Sequence, residues 1–431
     1  MMKEADCFDY CFGQLKKRGV DRAQIWLSRS EKHELNVETG RINLLRTTYD
    51  TQISLAVIAE NRKGAASQTG MTQHAVDAAV DTAVELAEGS EPDPAYDIAE
   101  YQPSEHFSTG DEVPDRDLMH TRLLEHLSYA KKRYPHTILE NAVLAFNLER
   151  SLFQNSKGVS FASTKGVYSF FQVFMTKKDK KTGSFNYTWF SARAIDRPIS
   201  QYGTVDALLR QSDEQIETKP VPEKFTGDVI ITPDCLEQFI STITYYLGDR
   251  PLVTGTSVFR DKLGQAIAAP SFTLHSKPVS EHIASGYFIT GDGYKAQDST
   301  IIEKGILKSF LLSLYGSRKT GQARAANNGG AYVVEAGSCD LSDMITGTER
   351  GILLSRFSGD SPSDNGDFSG VAKNSCYIHD GKIQYPVSET MISVNITEAL
   401  QNIGGISAER VDFGTSILPW VLFRGLTISG K

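Results

Sequence analysis

The sequence predicts an α+β fold: antiparallel sheets with flanking helices, laid out as two smaller N-terminal α/β units and a larger strand-rich C-terminal domain. Three observations predict it. Runs of β-forming residues cluster between turn signals instead of alternating singly with helices. An order of helix, strands and helix occurs twice in the first half of the chain. Proline-bearing breaks divide the 431 residues, which are too many for one ordinary core. The boundaries expected are residues 1–90 for the first unit, 91–115 for a linker, 116–218 for the second unit and 226–431 for the third.

The first unit opens on a helix, "EADCFDYCFGQLKKRG", with apolar groups at helical spacing. Four β-rich runs follow, "AQIWLSRS", "HELNVE", "RINLLRT" and "TQISLAVIA", with turns at "ETGR", "TTYD" and "ENRKG". A four-stranded antiparallel meander is expected. "MTQHAVDAAVDTAVELAEG" closes the unit as a helix: Thr72 is its N-cap, Val76, Ala79, Val80, Ala83 and Ala87 form one stripe, and Gly89 stops it. Pro92, Pro94, Pro103 and Pro114 then mark an extended linker.

The second unit repeats the order without residue-level repetition. Helix "DRDLMHTRLLEHLSYAKKRY" precedes strands "TILENAVLAFNLERS", "GVSFAST", "GVYSFFQVFMTK" and "SFNYTWFSARAI", turned at "NSKG", "TKG" and "KKDKKTG", and a helix near "TVDALLRQSDEQI" ends it. After "ETKPVPEKFTG" the third domain begins with strand "GDVIIT" and helix "TPDCLEQFISTITYYLGDR". In that helix Thr232 is placed to cap, Pro233 suits the first turn, and Leu236, Phe239, Ile240, Ile243 and Leu247 make one apolar stripe. Strands dominate thereafter, with "EKG" and "HDGK" as hairpin signals suited to type I′ turns.

Composition excludes several functions. A net charge of −8 and the lack of any Lys/Arg block disfavour direct nucleic-acid binding. No window approaches the roughly eighteen apolar residues of a membrane span, and the first residues do not read as a signal peptide. Cys7, Cys11, Cys235, Cys339 and Cys376 are few and odd in number, which points to reduced thiols and a cytoplasmic location.

The helix from Pro233 is well placed for chemistry yet carries no histidine; its polar positions are Glu237, Gln238, Ser241, Thr242 and Thr244. A zinc peptidase helix needs two imidazoles and a Glu poised as base. Glu237 alone is therefore read as structural. His120 and His126 are six apart and face differently; His275 and His282 flank Pro278 in an expected loop; His379 opens a turn. Cys7 and Cys11, beside Phe8, Phe12 and Leu15, are read as packing groups. Asp360, Asp364 and Asp367 in one loop, and Asp292 and Asp298 in another, lack the spacing of a calcium loop and read as solvated turns. There is no phosphate loop, no GxGxxG and no GxSxG elbow.

With these segments in view, "SRSEKHELNVETGRINLLR", "FQNSKGVSF", "GTSVFRDKLGQAIAAPSFTL", "IIEKGILKSFLLSLYGSRKTG" and above all "GDFSGVAKNSCYIHDGKIQYPVSETMIS" resemble the TldD/PmbA family over nearly the whole chain, and its PmbA/TldE branch most. Members have been called modulators of DNA gyrase, and the family includes a two-subunit metalloprotease. TldD-type members carry HExxxH and a C-terminal cysteine that bind zinc. The resemblance places those motif positions on Phe239, Ile240 and Thr244, and "AERVDFGTSILPWVLFRG" has no cysteine. It therefore implies no catalytic residue, no metal ligand and no cofactor in this chain. What it implies instead is a non-catalytic subunit that pairs with a TldD-type zinc subunit and helps enclose unfolded peptides. The alternatives are a stand-alone homodimer that binds peptide strands, and an autonomous hydrolase built on Cys339 or Asp298. Arg41, Arg46 and Asn155 lie in family-like segments without an assigned role.

Overall fold

The computed structural model describes residues 2–359 and 361–430. In chain order the N-terminal half holds α1 (Glu4–Lys17), β1 (Arg22–Glu38), β2 (Arg41–Ala59), β3 (Arg62–Thr69), α2 (Gln73–Glu88), β4 (Glu105–Thr109), α3 (Arg116–Arg133), β5 (Thr137–Asn155), β6 (Ser160–Lys178), β7 (Lys181–Thr182), β8 (Asn186–Ala192) and α4 (Val205–Glu214). Its strands form one eight-stranded sheet in the order β3-β2-β1-β5-β6-β4, with β7 and β8 also on β6. At its centre β1 pairs with β5, antiparallel from Gln24↔Asn155 to Glu38↔Asn141, so the strands expected of two units share one sheet.

Alternation along β1 decides what each face meets. Ile25 and Leu27 pack under α1 and α2, whereas Leu35 and Val37 pack under α3, so both helix pairs cover one face. The other face supplies Trp26 and Phe153 to a cluster that includes Phe107, Phe288 and Ile289 of later segments. Thr72 caps α2 through its hydroxyl, accepting from the Ala75 N–H at 3.2 Å, and Gly89 ends it.

Two expected turns are strand. "TTYD" lies within β2, because β1 continues as its partner through Lys32↔Thr48 and Ser30↔Asp50, and a long ladder overrides a local turn signal. The meander has three strands instead of the expected four: "AQIWLSRS" and "HELNVE" run together as β1, "RINLLRT" and "TQISLAVIA" as β2, and β3 is a strand the sequence reading missed. "TKG" lies within β6, where Gly166 is needed for space: a Cβ there would sit 1.6 Å from the Asp111 carbonyl oxygen. The linker is extended but packed. Ala95, Ile98 and Ala99 are buried, and β4 adds in parallel to β6.

The C-terminal half holds β9 (Phe225–Ile231), α5 (Pro233–Tyr246), α6 (Asp249–Thr254), β10 (Leu274–Ser276), β11 (Ser299–Glu303), β12 (Ile306–Leu307), α7 (Leu314–Thr320), β13 (Tyr332–Val334), α8 (Leu341–Thr346), β14 (Arg350–Leu354), β15 (Arg356–Gly359), β16 (Asp367–Lys373), β17 (Cys376–His379), β18 (Lys382–Pro386), β19 (Met391–Asn395), α9 (Ile396–Gln401), β20 (Ile403–Asp412) and β21 (Ile417–Ser429). Most pairings are antiparallel; β9 runs parallel to β14, and β13 to β21. The hairpins at Lys304–Gly305 and Asp380–Gly381 have both central residues at positive φ, as type I′ turns require. The α+β class holds throughout.

Candidate functional site

The start of α5 lies beside Phe185 and Tyr187, where the C-terminal sheet meets the β7–β8 segment of the N-terminal one. Pro233 occupies its first turn, and Leu236, Phe239, Ile240, Ile243 and Leu247 are all buried against the sheet. Thr232 stands at the N-cap in extended conformation, but its hydroxyl accepts no first-turn N–H and is buried without a partner. Asp234 supplies the first-turn negative charge instead.

The three positions singled out on this helix are core. Phe239, 1% exposed, has its ring centroid 5.8 Å from that of Phe357, 5.5 Å from Phe368 and 6.0 Å from Phe423. Ile240 is fully buried in the same cluster. The Thr244 hydroxyl donates back to the Ile240 carbonyl at 2.9 Å. None of these side chains has a free electron pair directed at a cleft, so they do not fit a zinc ion. Among the described residues, no group of three or more His, Cys, Asp or Glu side chains is arranged to hold a metal.

Beside the helix start is a cleft of about 450 Å³. Asp234, Cys235 and Gln238 of α5 form one wall, Arg356, Phe357 and Ser358 of β15 with Lys373 of β16 a second, and Phe185 and Tyr187 a third. Arg356 stacks 3.8 Å over the Tyr187 ring and donates to the Phe185 carbonyl at 3.1 Å, which fixes its guanidinium between the two parts of the chain. Gln211 of α4 donates to Ser355 at 2.6 Å and strengthens the same joint. Asp234 accepts from the Thr204 hydroxyl at 2.6 Å. Burial pushes its carboxyl up to about 6, against the opposing pull of Thr204 and Arg356. Burial also raises Glu237, and it drives the Cys235 thiol far above its ordinary range, which disfavours a thiolate there. Two cations beside aromatic walls give the cleft the make-up of a binding surface. A larger groove of about 600 Å³ runs along β16, β19 and β21, but it lies outside this joint and mixes hydroxyl, amide and apolar groups with Asp367, Glu398 and Arg424.

The remaining candidates resolve into structure. Both Asp367 carboxylate oxygens accept amide hydrogens, from Asn365 and Asn395, and Asp292 is held by Arg324 and the Leu314 N–H. Asp360 lies outside the described residues. His275 is not in a loop: it is the middle residue of β10, with Nδ1 on Thr300 and Nε2 on Glu335, because β10 is clamped between β11 and β13. His126 is buried, paired with Gln172 at 2.7 Å and lowered to about 4 by desolvation. Cys7 and Cys11 are buried, and burial raises both thiols, Cys11 to about 12. Cys339 packs beside Met344, and Asp298 accepts the Val279 N–H at 3.1 Å. Asn155 proves to be a turn anchor: it donates to the Ala99 carbonyl and accepts from the Lys157 and Val159 N–H groups. Arg46 pairs with buried Glu34. Sequence reading missed Asp234, Arg356, Lys373 and Tyr187, whose only local signal was an acid in the first turn of α5.

Comparison with known proteins gives these features a context. Residues 224–430 match the family described as "PmbA/TldA metallopeptidase C-terminal domain". The chain is 24% identical to metalloprotease PmbA of Escherichia coli O157:H7, covering 94% of this chain and 92% of that one. It is 23% identical to a PmbA homolog of Haemophilus influenzae over 97% and 94% of the two chains. The solved structure of TldE from Thermococcus kodakarensis superposes with a TM-score of 0.80 at 19% identity, covering 97% of this chain and all of that one. A candidate modulator of DNA gyrase from Bacteroides thetaiotaomicron superposes with a TM-score of 0.84 at 18% identity over the whole of both chains. Full-length similarity to PmbA proteins, a C-terminal family domain and a shared fold converge on one conclusion: residues 224–430 are a PmbA/TldA metallopeptidase C-terminal domain, and the chain as a whole is similar to PmbA proteins and has the fold of TldE.

Proposed function

We propose that this chain is a PmbA/TldE-like subunit of a TldD/TldE-type metalloprotease complex that acts on unfolded peptides, and that it has no zinc site of its own. The observation that carries the reading is the state of α5. Where a metallopeptidase helix would present two imidazoles and a carboxylate, this helix presents Phe239 inside an aromatic cluster, Ile240 in the core, and Thr244 bonded to its own helix. The chain's own contribution is then to bind and to enclose. Extended peptides are held chiefly by backbone hydrogen bonds, which give affinity without strong sequence preference. The cleft at the start of α5 adds aromatic faces at Phe185 and Tyr187 and positive charge at Arg356 and Lys373, which would favour carbonyl and carboxylate groups of such a chain. Zinc would reside in a TldD-type partner, and that subunit would activate water. A cytoplasmic location accords with the reduced thiols, and among the described residues no helix is long and apolar enough to cross a membrane.

Metal analysis and co-expression test this reading together. The purified chain should contain no stoichiometric zinc and cleave no flexible peptide, whereas co-expression with a TldD-type subunit should yield a stable complex whose peptidase activity is lost in chelator. One zinc per isolated chain, or chelator-resistant peptidase activity from it, would refute the proposal.

A further inference from the structure

Arg356 and Lys373 stand directly opposite each other on β15 and β16, an antiparallel pair. Like charges in that relation repel and destabilise a sheet unless something offsets them. Among the described residues nothing close does. Arg356 contacts the Tyr187 ring and the Phe185 carbonyl, and no carboxylate forms an ion pair with either cation. Asp234, the one acid that lines the cleft, accepts from Thr204, and Arg356 acts on it only through longer-range attraction.

Two unpaired cations set face to face in a cleft are an arrangement that a bound anion relieves. The Cβ atoms of such a pair lie about 4.5–5.5 Å apart, so both heads can reach one carboxylate or phosphate group. The rest of the cleft decides between the two. The first turn of α5, where a phosphate would otherwise find free N–H groups and a favourable dipole, already carries the Asp234 carboxylate, and this opposes a doubly charged ligand more than a singly charged one. Phe185, 58% exposed, and Tyr187 place apolar faces beside the cations, which suits an anion attached to a side chain. The cleft is walled on three sides and is about 450 Å³, room for the end of an extended chain rather than a folded partner.

We infer that this cleft binds the C-terminal carboxylate of a peptide, clamped between Arg356 and Lys373, with the final side chain against Phe185 and Tyr187. The inference deepens the proposed function and rests on its peptide-binding reading; what it adds is that the chain end is recognised, and not the backbone alone.

Fluorescence anisotropy with the purified full chain and a short unstructured peptide, labelled at its N-terminus, provides the test. The free-acid peptide should bind at least ~10-fold more tightly than the same peptide amidated at its C-terminus, the loss expected when a charge-assisted contact is removed. An amidated peptide with an internal aspartate should bind no better than the plain amide, which separates a chain end from a side-chain carboxylate. Lys373→Gln should cut free-acid affinity ~10-fold and leave the amide unchanged. Arg356→Gln should do the same, and the lysine variant keeps the test valid if loss of Arg356 disturbs the fold. Asp234→Asn should act in the opposite direction and tighten the free acid, because it removes the one opposing charge in the cleft. Without peptide, Lys373→Gln should not lower Tm, since it relieves a like-charge pair; a fall in Tm would mark the lysine as structural and overturn the proposal. Equal affinity for free acid and amide, rescue of the amide by the internal aspartate, or no binding of either peptide overturns it too. None of these results alters the zinc content of the isolated chain, so this inference and the metalloprotease-subunit reading fail separately.

Discussion

Phe239→Ala offers the most direct test of how α5 is used. The side chain is 1% exposed, and its ring meets Phe357 and Phe368 edge-on and Phe423 in a stacked arrangement. Truncating a buried phenylalanine costs about 3–5 kcal/mol, from lost transfer energy and the cavity left behind. Three aromatic partners held on three strands, Phe357 on β15, Phe368 on β16 and Phe423 on β21, place this site toward the upper end of that range. For a domain of about 200 residues, each kcal/mol is worth roughly 2–4 °C in Tm, so a fall of about 8–20 °C is expected. Phe239→Leu keeps most of the apolar volume and should cost less than half as much. Differential scanning calorimetry with urea titration at pH 7 measures both. A loss below about 1 kcal/mol for Phe239→Ala would refute the packing argument, and it would reopen the position to a ligand-facing role. The reciprocal variant, Phe239→His with Ile240→Glu and Thr244→His, should destabilise the domain and take up no zinc, because its new groups face the core.

Other predictions rest on charge. Asp234 has its folded carboxyl raised to about 6 above an ordinary value of 3.8, so the native state holds the proton more tightly than the unfolded chain. Its burden on stability is therefore absent below about pH 4, accrues as pH rises from 4 to 6, and is fully present above about 6. Asp234→Asn should raise the unfolding free energy at pH 7 by on the order of 1–3 kcal/mol, keep the Thr204 contact, and leave stability unchanged at pH 3.5; equal effects at both pH values would show that titration is not the cause. Arg324→Ala should cost on the order of 3 kcal/mol, since it leaves Asp292 largely buried without its cation, and adding Asp292→Asn should restore part of the loss in a double-mutant cycle.

Much of the fold was legible because it rests on local chemistry. The stripe from Val76 to Ala87, the Thr72 cap and the glycine-bearing I′ hairpins depend only on residues near in sequence, and the structure has them. "TTYD" and "TKG" failed for one reason: both look like turns locally, but each lies opposite a continuous partner strand, and a ladder of more than fifteen pairs outweighs the preference of three or four residues. Thr232 failed in the opposite way, since its cap geometry formed without the hydrogen bond.

By itself the sequence determined that α5 would exist, which face it would bury, and that it would bring no imidazole; apolar periodicity and residue identity suffice for all three. Tertiary structure alone decided that Arg356, Lys373, Asp234 and Tyr187 would share a cleft and that Asn155 would anchor a distant carbonyl. Those residues lie up to nearly two hundred positions apart, and no local periodicity records which of them the closing of two sheets against one another will bring into contact.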